Sequence, residues 1–256
     1  MEVDAELDNG TEFVARTASG TRRGMEFVGA ELNGFDDQGN PVVLRIESIE
    51  ASGRLGYEDI LAYVVSTAPA GSSPRAPLCG VDARGRPIRA IPLAGRWERG
   101  SGRETGGRWV PAPGSFTFAC EGAALAKCVY LGYRPWAGKV RHCTDSDHCR
   151  ETTLADLHQA CVRMLRADYC GDGTPHTVDG TIIGYRDGFG ILRGVEEWPF
   201  EAEWGPSGAV CISRTRLLEL PEPSCIERLR KPGCGSLSHF DGGTLIMNTV
   251  RPALPK

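Results

Sequence analysis

Ten cysteines in a chain of 256 residues constrain the fold more than any other feature of this sequence. The number is even and well above what a chain kept in a reducing cytosol usually carries. No two of them form a C-x-x-C pair, so the spacing fits neither a zinc knuckle nor a thioredoxin-type redox motif. We therefore expect disulfides, and with them a secreted, periplasmic or outer-membrane-associated protein. The cysteines are Cys79, Cys120, Cys128, Cys143, Cys149, Cys161, Cys170, Cys211, Cys225 and Cys234.

Charge and hydropathy narrow the possible partners. The formal net charge is −4, and the chain has no block of like charge large enough to bind nucleic acid, so we predict no nucleic-acid partner. No apolar run approaches the roughly 18 residues that a membrane-spanning helix needs. The first 25 residues also lack the apolar core of a signal peptide. An exported chain is therefore expected to have lost its signal peptide.

The order of apolar patterns predicts an α+β protein with two domains. Residues 1–76 contain alternating segments such as TEFVAR and NPVVLRIESIE, separated by turn residues, which predicts an antiparallel β-rich N-terminal segment. Residues 77–256 contain two helical patterns flanked by further strands, without regular βαβ alternation. This second part is predicted to be a disulfide-rich α+β domain built around a pair of helices that disulfides join, with strands on either side.

The two helices are defined by apolar spacing and by a cap. The first covers residues 120–133, which are rich in alanine. The second follows Thr153, whose hydroxyl can cap the helix while Asp156 lies three residues later. It is predicted to run to Cys170 and to end at the glycines that follow.

The cysteine spacing on these helices suggests how they are joined. Cys120 and Cys128 are separated by about 12 Å of helical rise, and Cys161 and Cys170 by about 13.5 Å. Antiparallel helices would give the pairs Cys120–Cys170 and Cys128–Cys161, whereas parallel helices would exchange the partners. The other predicted bridges are Cys143–Cys149, Cys225–Cys234 and Cys79–Cys211.

The segment RADYCGDGTPHTVDGT, residues 166–181, is the densest in reactive side chains. Asp172, His176 and Asp179 are candidate catalytic residues, because a carboxylate can orient an imidazole and raise its basicity. The alternative is that both aspartates are turn residues, each placed before a glycine for backbone reasons. The loop lacks the EF-hand pattern, and we predict no metal and no cofactor.

Two further candidates concern ligand binding and nucleophilic attack. Trp136 and Tyr169 are candidate ligand-binding aromatics, with core packing as the alternative. Cys161, in HQACVRM, distantly resembles the nucleophile of L,D-transpeptidases. Its position on the apolar face of a helix favours a disulfide instead.

A zinc site is the alternative to one of the small disulfide loops. His142, Cys143, His148 and Cys149 offer two nitrogen and two sulfur ligands. Adjacent side chains rarely converge on one ion, so a Cys143–Cys149 disulfide is the favoured interpretation.

Three long motifs carry a family resemblance. FACEGAALAKCVYLGYRPW, LHQACVRMLRADYCGDGTPHT and GTLIMNT resemble the ADYC domain, a bacterial family named for the tetrapeptide at residues 167–170. The resemblance extends over roughly residues 77–250. It implies secretion and paired cysteines, and it supplies no activity.

Two functions remain open from the residues alone. The first is a binding or structural module at the bacterial surface or cell envelope, with an extracellular ligand. The second is an extracellular hydrolase or transferase acting on a glycan or peptide polymer, with His176 as base and Asp172 or Asp179 as its partner. The sequence contains no G-x-S-x-G, H-E-x-x-H or nucleotide-binding motif that would favour an enzyme.

Overall fold

A computed structural model describes most of the chain: residues 4–8, 10–36, 38–71, 74–98, 108–143, 149–194, 197–235, 240 and 243–252. The chain divides into two compact units. The first unit comprises Met1–Arg96 with Val110–Lys127, and the second unit comprises Trp97–Trp109 with Cys128–Lys256. Strand pairing is antiparallel and helices are few within the described ranges, which confirms the predicted α+β class.

The N-terminal half of the chain is built from strands. A three-stranded sheet has the order β1-β2-β3, and a six-stranded sheet has the order β11-β8-β6-β5-β4 with β7 paired to β6. A two-stranded sheet joins β9 and β10. The strands are β1 (Ala5–Asp8), β2 (Glu12–Thr17), β3 (Gly20–Arg23), β4 (Glu31–Phe35), β5 (Pro41–Ala51), β6 (Leu61–Pro69), β7 (Ala76–Pro77), β8 (Ala90–Ala94), β9 (Arg96–Glu98), β10 (Arg108–Val110) and β11 (Phe116–Cys120).

The core of the first unit follows from strand periodicity and one bulge. Phe13 is buried on β2, and its ring meets that of Tyr63 edge-on at a centroid distance of 5.2 Å. On β5 the buried residues Ile46 and Ile49 are three apart rather than two. A bulge at Glu47 absorbs the extra residue, and both isoleucines therefore join the same core.

The six-stranded sheet continues beyond residue 76, where the sequence analysis placed a domain boundary. β8 pairs with β6 through Tyr63 and Ala90, and β11 pairs along the whole of β8. The Cys79–Cys120 disulfide joins the loop after β7 to the end of β11. The predicted boundary therefore falls within this sheet.

The rest of the chain contains the helices and a second set of strands. A hairpin joins β12 and β13, and a four-stranded sheet has the order β14-β17-β15-β16. The elements are α1 (Ala124–Tyr130), β12 (Lys139–Cys143), β13 (Cys149–Thr153), α2 (Leu154–Arg166), β14 (Ile183–Asp187), β15 (Phe200–Gly205), β16 (Gly208–Ile212), α3 (Ile226–Leu229) and β17 (Ile246–Val250).

Helix α2 packs against β15, β16 and β17. Its N-terminus is capped as predicted, because the Thr153 hydroxyl oxygen accepts a hydrogen bond from the Asp156 amide at 2.9 Å. Its predicted end at Cys170 is wrong. The helix stops at Arg166 because Ala167 adopts a left-handed conformation with φ of 50°, and the amides of Ala167 and Asp168 then bond back to the last turn.

Five disulfides use all ten cysteines, and two of them are pairs that the sequence predicted, Cys128–Cys161 and Cys143–Cys149. The predicted pairs Cys120–Cys170, Cys225–Cys234 and Cys79–Cys211 are wrong. The observed pairs are Cys79–Cys120, Cys170–Cys225 and Cys211–Cys234. Helical spacing does not predict these pairs, because Cys120 ends a strand and Cys170 lies past the end of α2, so neither belongs to a helix. Helix α1 is correspondingly shorter than the predicted 120–133, and only one bridge joins the helical pair.

Candidate functional site

The tetrapeptide Ala167-Asp168-Tyr169-Cys170 turns the chain away from the end of α2. Asp168 is fully buried and forms an ion pair with Arg163, while the Gly173 amide donates a hydrogen bond to Asp168 Oδ2 at 3.0 Å. Burial raises the pKa of the Asp168 carboxyl, and the guanidinium of Arg163 opposes that rise. The aspartate therefore anchors the turn from inside the protein.

Tyr169 points into a buried ionic network. Its hydroxyl donates to Glu201 Oε1 at 2.9 Å and accepts from the Arg216 amide at 2.7 Å. The Arg216 guanidinium bonds both oxygens of Glu201 at 3.0 Å, and both charged side chains are almost fully buried. Burial, reinforced by the charge of Glu201, raises the pKa of Tyr169. The hydroxyl thus stays protonated and joins the segment that follows α2 to β15.

The same network reaches the last strand and the last turn of α2. Asn248 donates to Glu201 Oε2 at 2.8 Å and accepts from the Trp204 indole at 2.7 Å. Arg216 also donates to the carbonyl of Met164 at 2.7 Å. A cation at this position interacts favourably with the carbonyl groups at the end of the helix, where the helix dipole is negative.

Tyr169, one of the two predicted ligand-binding aromatics, packs in the core, which is the alternative interpretation given for it in the sequence analysis. Only 1% of its surface is exposed, and its ring stacks on that of Trp204 at a centroid distance of 5.2 Å. Trp136, the other predicted ligand-binding aromatic, is half-buried in a turn in which the Ala137 amide bonds the Arg134 carbonyl. Its role in binding stays a prediction.

A surface cavity of about 550 Å³ lies beside the tetrapeptide. Its lining comes from two segments of the second unit, residues 170–176 and residues 220–224. The Cys170–Cys225 disulfide joins them with a Cα–Cα distance of 5.6 Å. The polar side chains on its surface are Asp172, Thr174, His176, Glu222 and Ser224. We refer to it as the His176 cavity.

His176 lies against the inner wall of this cavity. Only 9% of the residue is exposed, its ring packs at 5.6 Å from that of Tyr169, and its amide donates to the Arg166 carbonyl at 3.1 Å. Among the described residues, Nδ1 has no hydrogen-bond partner. The imidazole is thus held firmly by packing, without a carboxylate to orient it at that nitrogen.

The two predicted catalytic aspartates occupy different places. Asp172 lines the His176 cavity, and its Oδ1 accepts the Thr174 amide at 2.8 Å, which is the turn role considered as the alternative. Asp179 is exposed at the tip of a turn closed by the Thr181 amide and the Val178 carbonyl, and it is not part of the cavity lining. The structure thus brings Asp172 and His176 to one cavity, but not Asp179.

The zinc site and the cysteine nucleophile considered in the sequence analysis both require free thiolates, and their cysteines are in disulfides. Cys143 and Cys149 are bonded to each other, so the zinc set with His142 and His148 has no sulfur ligands; His148 itself lies outside the described residues. Cys161 is bonded to Cys128 and carries no nucleophilic thiol.

One group of potential metal ligands converges within the described ranges. A carboxylate oxygen of Glu203 and the sulfurs of Cys211 and Cys234 lie within 4.8 Å of one another. The two sulfurs form a disulfide, and the carboxylate already accepts hydrogen bonds from the Gly235 amide and the Thr244 hydroxyl. This donor set therefore does not fit a metal ion.

The ADYC domain matches residues 24–218, which is 195 of the 256 residues. The chain belongs to the ADYC domain family. No curated protein and no solved structure matches it. Within the described residues, no helix is long and apolar enough to cross a membrane.

The ADYC tetrapeptide has a structural role in this chain. Its four residues provide, in order, a left-handed helix stop, a buried ion pair, a hydroxyl in the Glu201–Arg216 network, and a disulfide. The family match begins within the N-terminal strands, earlier than the resemblance near residue 77, and it ends before the 220–224 wall of the His176 cavity.

Sequence reasoning missed Glu201 and Arg216. Glu201 lies on a strand whose residues 201–205 are all buried, and the sequence of the strand does not identify the partner that Glu201 meets. Arg216 follows β16 in an irregular segment without a recognisable motif. Glutamate at both 201 and 203, beside Trp204, is the one available signal, because charged residues on a buried strand require partners.

Proposed function

We propose that this ADYC protein is a disulfide-stabilised binding module that acts outside the cytosol, at the bacterial surface or in the cell envelope. The five disulfides and the absence of free cysteines support an oxidising compartment. The His176 cavity is the proposed ligand site, since its two walls are cross-linked and its floor rests on the Tyr169 network.

One observation carries this proposal. His176 is nine-tenths buried at the cavity wall, and its ring lacks a hydrogen-bond partner at Nδ1 among the described residues. A polar group buried this deeply usually has its partners, because leaving it without them costs free energy. The buried Nδ1 cannot itself meet a ligand in the cavity, so a ligand would contact the ring at its other edge, since His176 lines the cavity.

The binding proposal is tested by mapping ligands on the oxidised protein. We expect fragment hits to shift the nuclear magnetic resonance signals of the amides that border the cavity, which are those of Asp172, Gly173, Thr174, His176, Leu220, Glu222 and Ser224. Asp172→Asn should weaken those hits, whereas Asp179→Asn, an exposed aspartate outside the cavity, should leave them unchanged. Hits confined to other surfaces, or equal effects of the two substitutions, would contradict the proposed site.

A hydrolase or transferase is the second candidate, favoured by one observation. Asp172 and His176 line the same cavity, as a carboxylate and an imidazole acting on a polymer would. Against it, the Asp172 carboxylate is used by the Thr174 amide, and His176 Nδ1 has no carboxylate partner among the described residues. Release of soluble fragments from purified cell-wall polymer, abolished by His176→Gln with the fold intact, would favour the enzyme over the binding module.

A further inference from the structure

The charges around the His176 cavity argue against an anionic ligand. Its ionisable lining residues are Asp172, His176 and Glu222, and no lysine or arginine is among them in the described chain. Glu222 is already paired, since Arg230 Nη2 lies 2.9 Å from its Oε1. The lining thus offers carboxylate acceptors without a strong excess of negative charge.

The buried edge of His176 fixes which nitrogen carries the proton in the neutral ring. Nδ1 is buried without a partner among the described residues. A buried N–H group without an acceptor is rarer in proteins than a buried acceptor without a donor. The proton of the neutral imidazole is therefore placed on Nε2, which leaves Nε2–H as the donor available to a ligand.

The cavity then presents both donors and acceptors to its occupant. Asp172 can only accept, Nε2–H of the neutral His176 can only donate, and the hydroxyls of Thr174 and Ser224 do both. An ammonium group cannot accept the imidazole proton, and a carboxylate cannot donate to Asp172. A hydroxyl group satisfies both sides at once.

The apolar part of the lining suits the same kind of ligand. Pro175, Leu220 and Pro221 provide apolar surface beside the polar groups. A sugar ring combines hydroxyl edges with C–H faces, and a volume of about 550 Å³ lies in the range of small-ligand sites. On these grounds we infer that the His176 cavity binds a neutral saccharide unit through Asp172 and His176; this inference rests on the proposed function.

The two walls differ in their relation to the family. The wall with Asp172 and His176 lies inside the ADYC match, whereas residues 220–224 follow its end at residue 218. If the first wall supplies the hydroxyl-binding groups, the second wall is the part that can select one saccharide among several. Leu220→Ala is expected to change the order of preference among saccharides while binding to the class is retained.

The test is an array that separates ligand classes. It carries neutral oligosaccharides of hexoses, 6-deoxyhexoses and N-acetylhexosamines, beside matched uronate-containing and free amino-sugar oligosaccharides. We expect the oxidised full chain to bind neutral members. Asp172→Asn should reduce the affinity about 10-fold or more, as expected from weakening a hydrogen bond to a charged group. Asp179→Asn, the matched control, should stay within about twofold.

The other possible results show whether the saccharide inference alone fails or the proposed function fails with it. One such result is that the chain binds only uronates or amino sugars, and binds them more weakly in Asp172→Asn. That result overturns the neutral-saccharide inference but still supports the binding module. Neutral saccharides bound equally by Asp172→Asn place the site elsewhere and overturn the inference as well. If neither the array nor the fragment screen gives binding at the cavity, both proposals fail. Asp172 is exposed, so its substitution does not threaten the fold.

Discussion

Replacing Tyr169 with phenylalanine removes one oxygen from the buried network and nothing else. The lost hydroxyl donates to Glu201 and accepts from the Arg216 amide. A hydrogen bond to a charged group contributes about 1.5–3 kcal/mol, and a buried donor left without its acceptor costs about 1–3 kcal/mol. The two effects overlap, since Arg216 still holds Glu201. We expect Tyr169→Phe to lower the free energy of unfolding by about 2–4 kcal/mol.

Chemical denaturation with the disulfides intact measures this loss. Tyr185→Phe is the matched control, because this half-buried tyrosine lies on β14 and its hydroxyl is not part of the Glu201–Arg216 network, and its cost should remain within about 0.5 kcal/mol. The slope of the unfolding free energy with denaturant should be the same for both variants. Equal, small losses in the two variants would refute the reasoning and show that the Tyr169 hydroxyl does not support the network.

Other perturbations test the tight turn, the buried hydroxyls and the compartment. Gly171→Ala should prevent folding, because a Cβ atom there would overlap the Ser207 carbonyl oxygen. Gly180→Ala, also at positive φ but in open space, should lower the free energy of unfolding by only about 1–2 kcal/mol. Soluble yield and chemical denaturation distinguish the two variants. Burial raises the pKa values of Tyr63 and Tyr133, so both should stay protonated in the folded protein at about pH 11. Their contribution to stability is then present below the ordinary tyrosine pKa of about 10 and is lost as the pH rises above it, which tyrosinate absorbance followed together with circular dichroism can check. Thiol titration in denaturant without reductant should find no free thiol, and any stoichiometric thiol would contradict the disulfide assignment.

Much of the local structure was readable from short-range patterns. The cap at Thr153 depends on residues three apart, and the strand containing Phe13 depends on alternation, so both are fixed by chain geometry alone. The small Cys143–Cys149 loop is likewise local. The true end of α2 was not readable, because Ala167 takes a left-handed conformation for which alanine has no intrinsic preference.

The candidate site, like the fold, was only partly predictable from local sequence patterns. The segment 166–181 stood out by composition, and two of its three predicted catalytic residues, Asp172 and His176, do line one cavity. The opposite wall could not be identified, because residues 220–224 are distant in sequence and the Cys170–Cys225 bridge that fixes them beside the cavity joins positions 55 apart.

The sequence by itself determined that this chain is oxidised, α+β, and a carrier of the ADYC tetrapeptide, because cysteine number, periodicity and motif are properties of neighbouring residues. The tertiary structure alone decided which cysteines meet and what the tetrapeptide does. A disulfide requires two Cα atoms within about 7 Å, and a buried charge requires a partner. Both conditions are met between distant segments only after α2 has packed on its sheet, as when Arg216 reaches Glu201 and the end of that helix.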